Sequence, residues 1–353
     1  MAAHDFLACR FPLLSSRLPR AGLGSLPTPV HEYKVRFRSA ERTLAIKHDN
    51  QTSCIFGGNK VRKLEYILPR AASKGCTRIA TFGAAGSNHA LATALYAREL
   101  GLGSTCFLAH QAKAASVGAT LNKHIQIGTD LVPFGGDYRA RIRTLRDHLW
   151  GRRTWVIPMG GSSWLGTIGF VAAGLELAEQ LEKRAITPPQ YLYVAAGTMG
   201  TAVGIALGLA LAGAATEVQA VRVSHPSIMN RKALDTLLNK TVLMMHRLDA
   251  AVPLALAQRA RIRIRNEFFG PGYARGTKAT EEAIRFARDA LDLELETTYT
   301  AKAMSALLAD WWAGDADNAL YWHTCNSEPL HVPVDRPLDR SALPAEFMRY
   351  FES

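Results

Sequence analysis

Short apolar runs of two different periods alternate along this chain. Thr43–Lys47 (TLAIK), Arg78–Phe82 (RIATF), Ser104–Leu108, Trp155–Ile157 and Tyr191–Ala195 (YLYVA) are brief and apolar, the pattern of strands. Between them, the segments Val61–Ala72, Ser87–Leu100 and roughly Gly166–Lys183 read as helices, the second with Ser87 at its N-cap. Leu26–Pro29 (LPTP) predicts extended chain, because each proline biases the residue before it away from helix. Strand, tight glycine turn and helix, repeated in that order, predict parallel α/β sheets. A length of 353 residues suggests two domains of ordinary size, and no internal repeat interrupts the pattern.

The longest apolar stretch, Gly204–Ala215 (GIALGLALAGAA), is shorter than the roughly 20 residues a membrane span needs, and its glycines have helix-packing spacing. It predicts a buried helix. Arg259, Arg261, Arg263 and Arg265 alternate with Ala260, Ile262 and Ile264, which predicts a half-buried strand with one basic face. A second basic run, Asp137–Arg153, carries Arg139, Arg141, Arg143, Arg146, Arg152 and Arg153.

Composition narrows the class. With 48% hydrophobic and 20% charged residues, the chain reads as a soluble globular protein rather than a membrane protein. Its five cysteines (Cys9, Cys54, Cys76, Cys106, Cys325) show no paired spacing, which points to a reduced, cytoplasmic protein without a structural metal. A net charge of +12 suits anionic ligands such as phosphates and carboxylates. Both arginine runs read as solvated faces, since no nucleic-acid motif or aromatic interleaving accompanies them. The opening MAAHDFLACRFPLLSSRLPR holds Arg and Ser and a single acid; an ordinary N-terminal arm is the simpler reading, a transit segment the other.

Three glycine-bearing turns carry candidate chemistry. Gly197, Thr198, Met199, Gly200 and Thr201 follow a buried strand and open a helix. Backbone N–H groups and two hydroxyls there would cradle one phosphate, although a tight turn without ligand would look similar. Phe56–Lys60 (FGGNK) delivers a lysine to a helix start, where the dipole disfavours a cation and lowers the amine pKa, as Schiff-base formation with an aldehyde requires. Lys63 competes for that role but lies one turn inside the helix, where a solvated position is expected. Ser87, Asn88 and His89 stand at the next helix start. Capping accounts for Ser87, while the three polar side chains together suit a substrate carboxylate.

FGGNKVRKLEYILP, SNHA, IPMGGSSWLGTIGF, GTMGT, GPGY and YTAKAM occur in this order, and with them the chain resembles the D-cysteine desulfhydrase and aminocyclopropane-carboxylate deaminase family of pyridoxal-phosphate enzymes. The likeness runs from about Leu18 to about Leu330. It implies the type II fold: two open, twisted, mostly parallel α/β domains, the large one formed by residues 1–60 and 160–353 and the small one by 61–159, with the cofactor in the cleft between them. It also implies a small amino-acid substrate and a homodimer. Residue by residue, the resemblance makes Lys60 the lysine that carries pyridoxal phosphate. Asn88 would meet the cofactor's phenolic oxygen, Gly197–Thr201 its phosphate, and Ser87 the substrate carboxylate. Tyr273 and Tyr299 would be the two active-site tyrosines, suited to proton transfer if neighbouring cations lower their pKa values.

Two positions discriminate within the family. Deaminases carry Glu after the second tyrosine and Leu after the late Tyr-x-His; here Thr300 and Thr324 stand there, the residue types of the desulfhydrase side. Thr324 would offer the ring nitrogen a neutral hydroxyl, leaving a weaker electron sink than a carboxylate would, which suits β-elimination. The sequence also departs from its relatives. Gly83-Ala-Ala-Gly86 replaces a Gly-Gly-x-Gln before Ser-Asn-His, and Cys325-Asn326 replaces Gly-Gly after His323-Thr324. The expected reaction is α,β-elimination of D-cysteine to sulfide, pyruvate and ammonia. The alternatives are the cyclopropane deaminase and a cofactor-binding protein without turnover that acts through its basic surface.

Overall fold

A computed structural model describes residues 5–38, 40–326 and 338–352. The chain divides into two compact units: Met1–Leu18, Gly24–Lys63 and Ser162–Pro329 form the first, and Pro19–Leu23, Leu64–Gly161 and Leu330–Ser353 the second. The end of the family resemblance, near Leu330, falls outside the described residues.

The first unit is built on a six-stranded sheet in the order β1 (Val30–Phe37), β2 (Ala40–His48), β10 (Asn318–His323), β7 (Tyr191–Ala196), β8 (Glu217–Arg222) and β9 (Ile262–Arg265). Only the β1–β2 pair is antiparallel. The central strands β7 and β10 are buried along almost their whole length, the mark of parallel strands covered on both faces. The edge strand β1 instead has a broken burial pattern, with Val30 and Val35 inward and polar residues outward. The apolar helix forms as Gly200–Leu211, with every residue buried. It packs on Trp164–Lys183 so closely that a Cβ at Gly208 would lie 2.3 Å from the Val171 carbonyl oxygen. Small residues therefore set the helix separation, as the glycine spacing suggested.

The basic strand differs from expectation. Only Ile262–Arg265 is a strand, and Arg259 ends a short helix, Leu256–Arg259. Arg265 turns inward, 7% exposed. Its guanidinium pairs with Asp310 at 2.5 and 2.9 Å and with Glu267 at 2.5 Å. Period-two alternation predicts which residues share a face but not that carboxylates of Asp310 and Glu267 await one of them. The N-terminal arm is docked: Leu7, Phe11, Leu14 and Leu18 are buried, and Leu14 N–H donates to Asp249 Oδ2 at 3.3 Å.

The second unit has an all-parallel sheet in the order β5 (Asp130–Pro133), β4 (Gly103–Ala109), β3 (Arg78–Ala84) and β6 (Thr154–Ile157). Helix Asn88–Glu99 buries a continuous run from His89 to Ala97. Helix Tyr138–Leu149 carries the second arginine run; Asp137 caps it, none of its residues is fully buried, and Leu145 and Leu149 rest on Ala80, Phe107 and Val132. The C-terminal segment adds Leu343 and Phe347 to a core shared with Cys106, Leu108 and Val117. Among the described residues, no helix is long and apolar enough to cross a membrane.

Candidate active site

The loop that presents Lys60 is fixed from two sides. Gly57 N–H donates to Asn326 Oδ1 at 2.7 Å, and Asn59 N–H donates to the Thr324 carbonyl at 3.1 Å. Gly58 has φ +90°, and a Cβ on it would lie 2.7 Å from the Thr324 carbonyl oxygen, so the turn requires glycine there. The departure at Asn326 thus has a structural use: its side chain ties the lysine loop to the end of β10. Helix Lys60–Ser73 then begins at the lysine itself. The Lys60 side chain is only half-buried, yet the amine is enclosed enough that desolvation lowers its pKa to about 8, against the opposing pull of Cys325 and Glu296. Nζ donates to Asn59 Oδ1 at 2.6 Å.

Beneath the lysine lies an ion network that the sequence reading did not anticipate. Arg62 reaches Asp49 at 2.8 Å and Glu176 at 2.9 Å, and Glu176 also meets Lys47. All four side chains are at most 1% exposed. The two carboxylates push the Arg62 pKa up despite burial, while Arg62 and Lys47 hold Glu176 down at about 2. Buried charges of this kind are tolerable only as a completed set.

The glycine turn after β7 gathers donors. Met199 adopts a left-handed conformation, φ 66°, and Gly200 opens the helix. Ser162 Oγ lies 2.7 Å from Thr198 Oγ1 and accepts from Gly200 N–H at 3.2 Å. Asn59 Nδ2 donates to Thr201 Oγ1 at 3.1 Å. Lys63 is the larger correction. It is not solvated but 3% exposed, with Nζ donating to Ser162 Oγ at 3.2 Å. Burial and the neighbouring charge of Lys60 press its pKa well below the usual lysine value. A Cβ at Gly200 would sit 2.7 Å from Ser162 Oγ and 3.2 Å from Lys63 Nζ, so bare backbone is what the turn admits. Hydroxyls, helix-start N–H groups and an amine form a donor set suited to a phosphate. The residues fit pyridoxal phosphate. Neither Ser162 nor Lys63 was assigned from sequence, although both lie inside the motifs quoted above.

Tyr273 and Tyr299 meet, with hydroxyl oxygens 2.5 Å apart and rings edge to face at 6.0 Å. Neither has a lowered pKa. Desolvation raises both, and Glu296 adds to the rise. The expected cations are not what governs them. Glu296 caps helix Thr300–Ala313, accepting from the N–H groups of Thr298, Tyr299 and Thr300 at 2.7 to 3.1 Å. Thr300 Oγ1 also donates to Glu296 Oε1 at 3.1 Å. Lys302, fully buried, donates to the carbonyls of Phe269 and Gly272 at 2.6 and 3.1 Å, pinning the loop that carries Tyr273. Thr324 is buried, and no described residue hydrogen-bonds its hydroxyl. Cys325 is half-buried; desolvation and Glu296 push its thiol up to about 12, so it stays neutral.

In the second unit Ser87 is the N-cap, accepting from Ala90 N–H at 3.2 Å, and Asn88 is exposed. His89 does not join them. It is 5% exposed and shares a 2.9 Å hydrogen bond with Thr81, so its place is in the core.

A mostly parallel sheet whose carboxyl ends bear a lysine loop and a glycine turn suited to a phosphate, with paired tyrosines in the same unit, is the arrangement of a pyridoxal-phosphate enzyme of the type II fold. The profile of the pyridoxal-phosphate-dependent enzymes matches residues 23–323, and the chain belongs to that family. It is 34% identical to nocardicin C-9′ epimerase of Nocardia uniformis subsp. tsuyamanensis, over 87% of this chain and 92% of that one. It is 33% identical to D-cysteine desulfhydrase of Salmonella paratyphi A, over 83% and 88%. A solved aminocyclopropane-carboxylate deaminase homologue superposes with a TM-score of 0.73 at 25% identity, covering 92% of this chain and 95% of that one. A threonine deaminase shares the fold, with a TM-score of 0.55 at 17% identity, covering 82% and 88%. The chain is a pyridoxal-phosphate-dependent lyase of the elimination and deaminase type.

Proposed function

We propose that this enzyme removes the β-substituent of a small amino acid, converting D-cysteine and water to sulfide, pyruvate and ammonia. The observation that carries this reading is the half-buried Lys60 amine, its pKa lowered to about 8 by desolvation, in one unit with the hydrogen-bonded Tyr273–Tyr299 pair, whose pKa values are both raised. Bound pyridoxal phosphate supplies an aldehyde that links to amines and a ring that draws off the electron pair left when the α-proton departs. Lys60 would hold it through Nζ, Gly197–Thr201 with Ser162 and Lys63 through the phosphate, Asn88 at the phenolic oxygen and Thr324 at the ring nitrogen.

The protein's own groups divide the proton work. Once the substrate amine has displaced it, Lys60 Nζ would accept a proton, and the burial that lowers its pKa to about 8 favours the neutral amine. Tyr299 and Tyr273 remain protonated, and one hydroxyl donates to the other. The remaining O–H is the proton source for a departing thiolate. Ser87, at a helix N-terminus, would receive the substrate carboxylate. Cys325, held neutral, does not compete as a nucleophile. Thr300 and Thr324 favour elimination over cyclopropane opening, since neither supplies a carboxylate.

Sulfide release from D-cysteine and L-cysteine, and pyruvate formation from chloroalanine, measured beside oxobutyrate from aminocyclopropane carboxylate, test the reading. Sulfide with D-cysteine is expected; oxobutyrate without sulfide would replace it with the deaminase. A second reading, epimerisation at the α-carbon, is favoured by the 34% identity to an epimerase and by two separate proton carriers, Lys60 and the tyrosine pair. Inversion of the α-carbon in heavy water, without sulfide, would select it.

A further inference from the structure

The turn that leads into Ser87 is closed by a side chain from another strand end. Gly86 N–H donates to Gln111 Oε1 at 3.1 Å. A Cβ at position 86 would lie 3.2 Å from Gln111 Nε2 and 3.2 Å from Val117 Cγ2, so Gln111 fills the room a side chain at 86 would need. With Oε1 engaged, the carboxamide still carries two N–H donors on Nε2, and no described residue accepts from them.

Gln111 is itself held. The Tyr350 hydroxyl accepts from Gln111 N–H at 2.9 Å and donates to the Gln111 carbonyl at 3.2 Å, fixing one residue's backbone in both directions. Tyr350 ends the 3-10 helix Ala345–Tyr350, and Phe347 of that turn is fully buried beside Val117 and Leu108. His110 Nδ1, adjacent in sequence, lies 3.3 Å from the same hydroxyl. The C-terminal segment thus grips the strand end that bears Gln111.

We propose that Gln111, positioned by Tyr350, supplies to the Ser87 turn the carboxamide that relatives carry at the place of Gly86, and that it sets affinity for the amino-acid carboxylate. The exchange moves a glutamine's function from the turn itself to a neighbouring loop held by the C-terminus. It accounts for the GAAG departure, which in isolation only removes a polar group. The inference rests on the elimination reading, in which Ser87 meets that carboxylate.

The test uses the holoenzyme and four variants: Gln111→Ala, Tyr350→Phe, Gly86→Gln and the swap Gly86→Gln with Gln111→Ala. Amino-acid affinity is read twice, as KM and, without turnover, as the ligand-induced change in the visible absorbance of bound cofactor. Gln111→Ala is expected to weaken affinity about tenfold with kcat within about threefold and the cofactor absorbance of the free enzyme unchanged. Tyr350→Phe weakens affinity about threefold. Gly86→Gln alone lowers the melting temperature because Gln111 occupies the space, and the swap recovers both melting temperature and affinity. Strictly additive effects of the two changes, or an affinity unmoved by Gln111→Ala, would overturn the inference. A wild-type protein that binds amino acids but turns none over sinks the elimination reading alone, because the affinity and melting cycles still report on positions 86 and 111.

Discussion

Two strand-to-helix turns, one in each unit, have the same design and different execution. After β7, Gly197–Thr201 sets backbone N–H groups at a helix start, with the Ser162, Thr198 and Lys63 side chains packed closely on them. The helix behind it is wholly buried, Met199 sits left-handed, and Gly200 leaves no room for a Cβ beside Ser162 and Lys63. At the end of β3, Gly83–Ser87 instead presents side chains: Ser87 caps, Asn88 is exposed, and Gln111 is lent from another loop. The difference follows what each turn would serve in the proposed reaction. A phosphate is the same for every substrate, so its seat can be cut closely from N–H groups that cannot drift. The end that would meet the amino acid must change with specificity, and exchangeable side chains are the economical means. The Gly83–Gly86 departure from the family pattern falls in the second turn, and none falls in Gly197–Thr201.

The contrast is broken most severely at Lys60. Lys60→Ala is expected to abolish the visible absorbance of bound cofactor and to reduce turnover by on the order of a thousandfold or more. A variant retaining the same absorbance would move the cofactor to Lys63 and undo the assignment. Next comes the foundation of the lysine-bearing unit. Glu176→Ala leaves Arg62 and Lys47 buried without one of their carboxylates. The cost is about 3–5 kcal/mol, read as a lower denaturant midpoint at unchanged slope. A loss under about 1 kcal/mol would mean that water or Asp49 makes good the missing charge.

Much of the cofactor side was legible in the sequence because its chemistry is contiguous. A lysine after two glycines, or a glycine–threonine turn between an apolar strand and an apolar helix, declares itself within ten residues. What escaped depends on residues that meet only when folded. Arg62 and Glu176 are 114 positions apart, and Ser162 and Thr198 are 36 apart. Lys63 reads as solvated until the turn after β7 is laid over it, and the tyrosine pair reads as cation-tuned until burial is known. His89 shows the same limit on a smaller scale. Three consecutive polar residues look equivalent in sequence, and only Thr81 across the turn decides that the third belongs to the core.

One substitution made in both turns sharpens the comparison directly. Gly200→Ala forces a methyl to 2.7 Å from Ser162 Oγ, within a cluster whose other members are also bonded. It should destabilise by about 1–3 kcal/mol and weaken cofactor phosphate binding by about tenfold or more. Gly86→Ala meets only the far end of Gln111 and a valine methyl, both at 3.2 Å, and should cost less than about 1 kcal/mol with cofactor binding unchanged. Thermal melts and cofactor titration of the two variants decide the matter. Equal effects would mean that the turns are not built on different principles.

The smallest effect is a displacement along the pH axis. Lys60 titrates near 8 rather than at the ordinary lysine value, with desolvation as the main cause. Only the neutral amine attacks an aldehyde, so the rate at which cofactor-free protein takes up pyridoxal phosphate should climb with pH through about 8 and then level. A lysine with ordinary surroundings would keep gaining until about 10.4. Glu296 pulls the other way by favouring the charged amine, so Glu296→Gln should move the inflection slightly downward. An inflection at the ordinary value in the native protein would show that the Lys60 loop opens to water before the cofactor binds. The backbone bonds from Gly57 and Asn59 to residues 324–326 would then be properties of the closed loop alone.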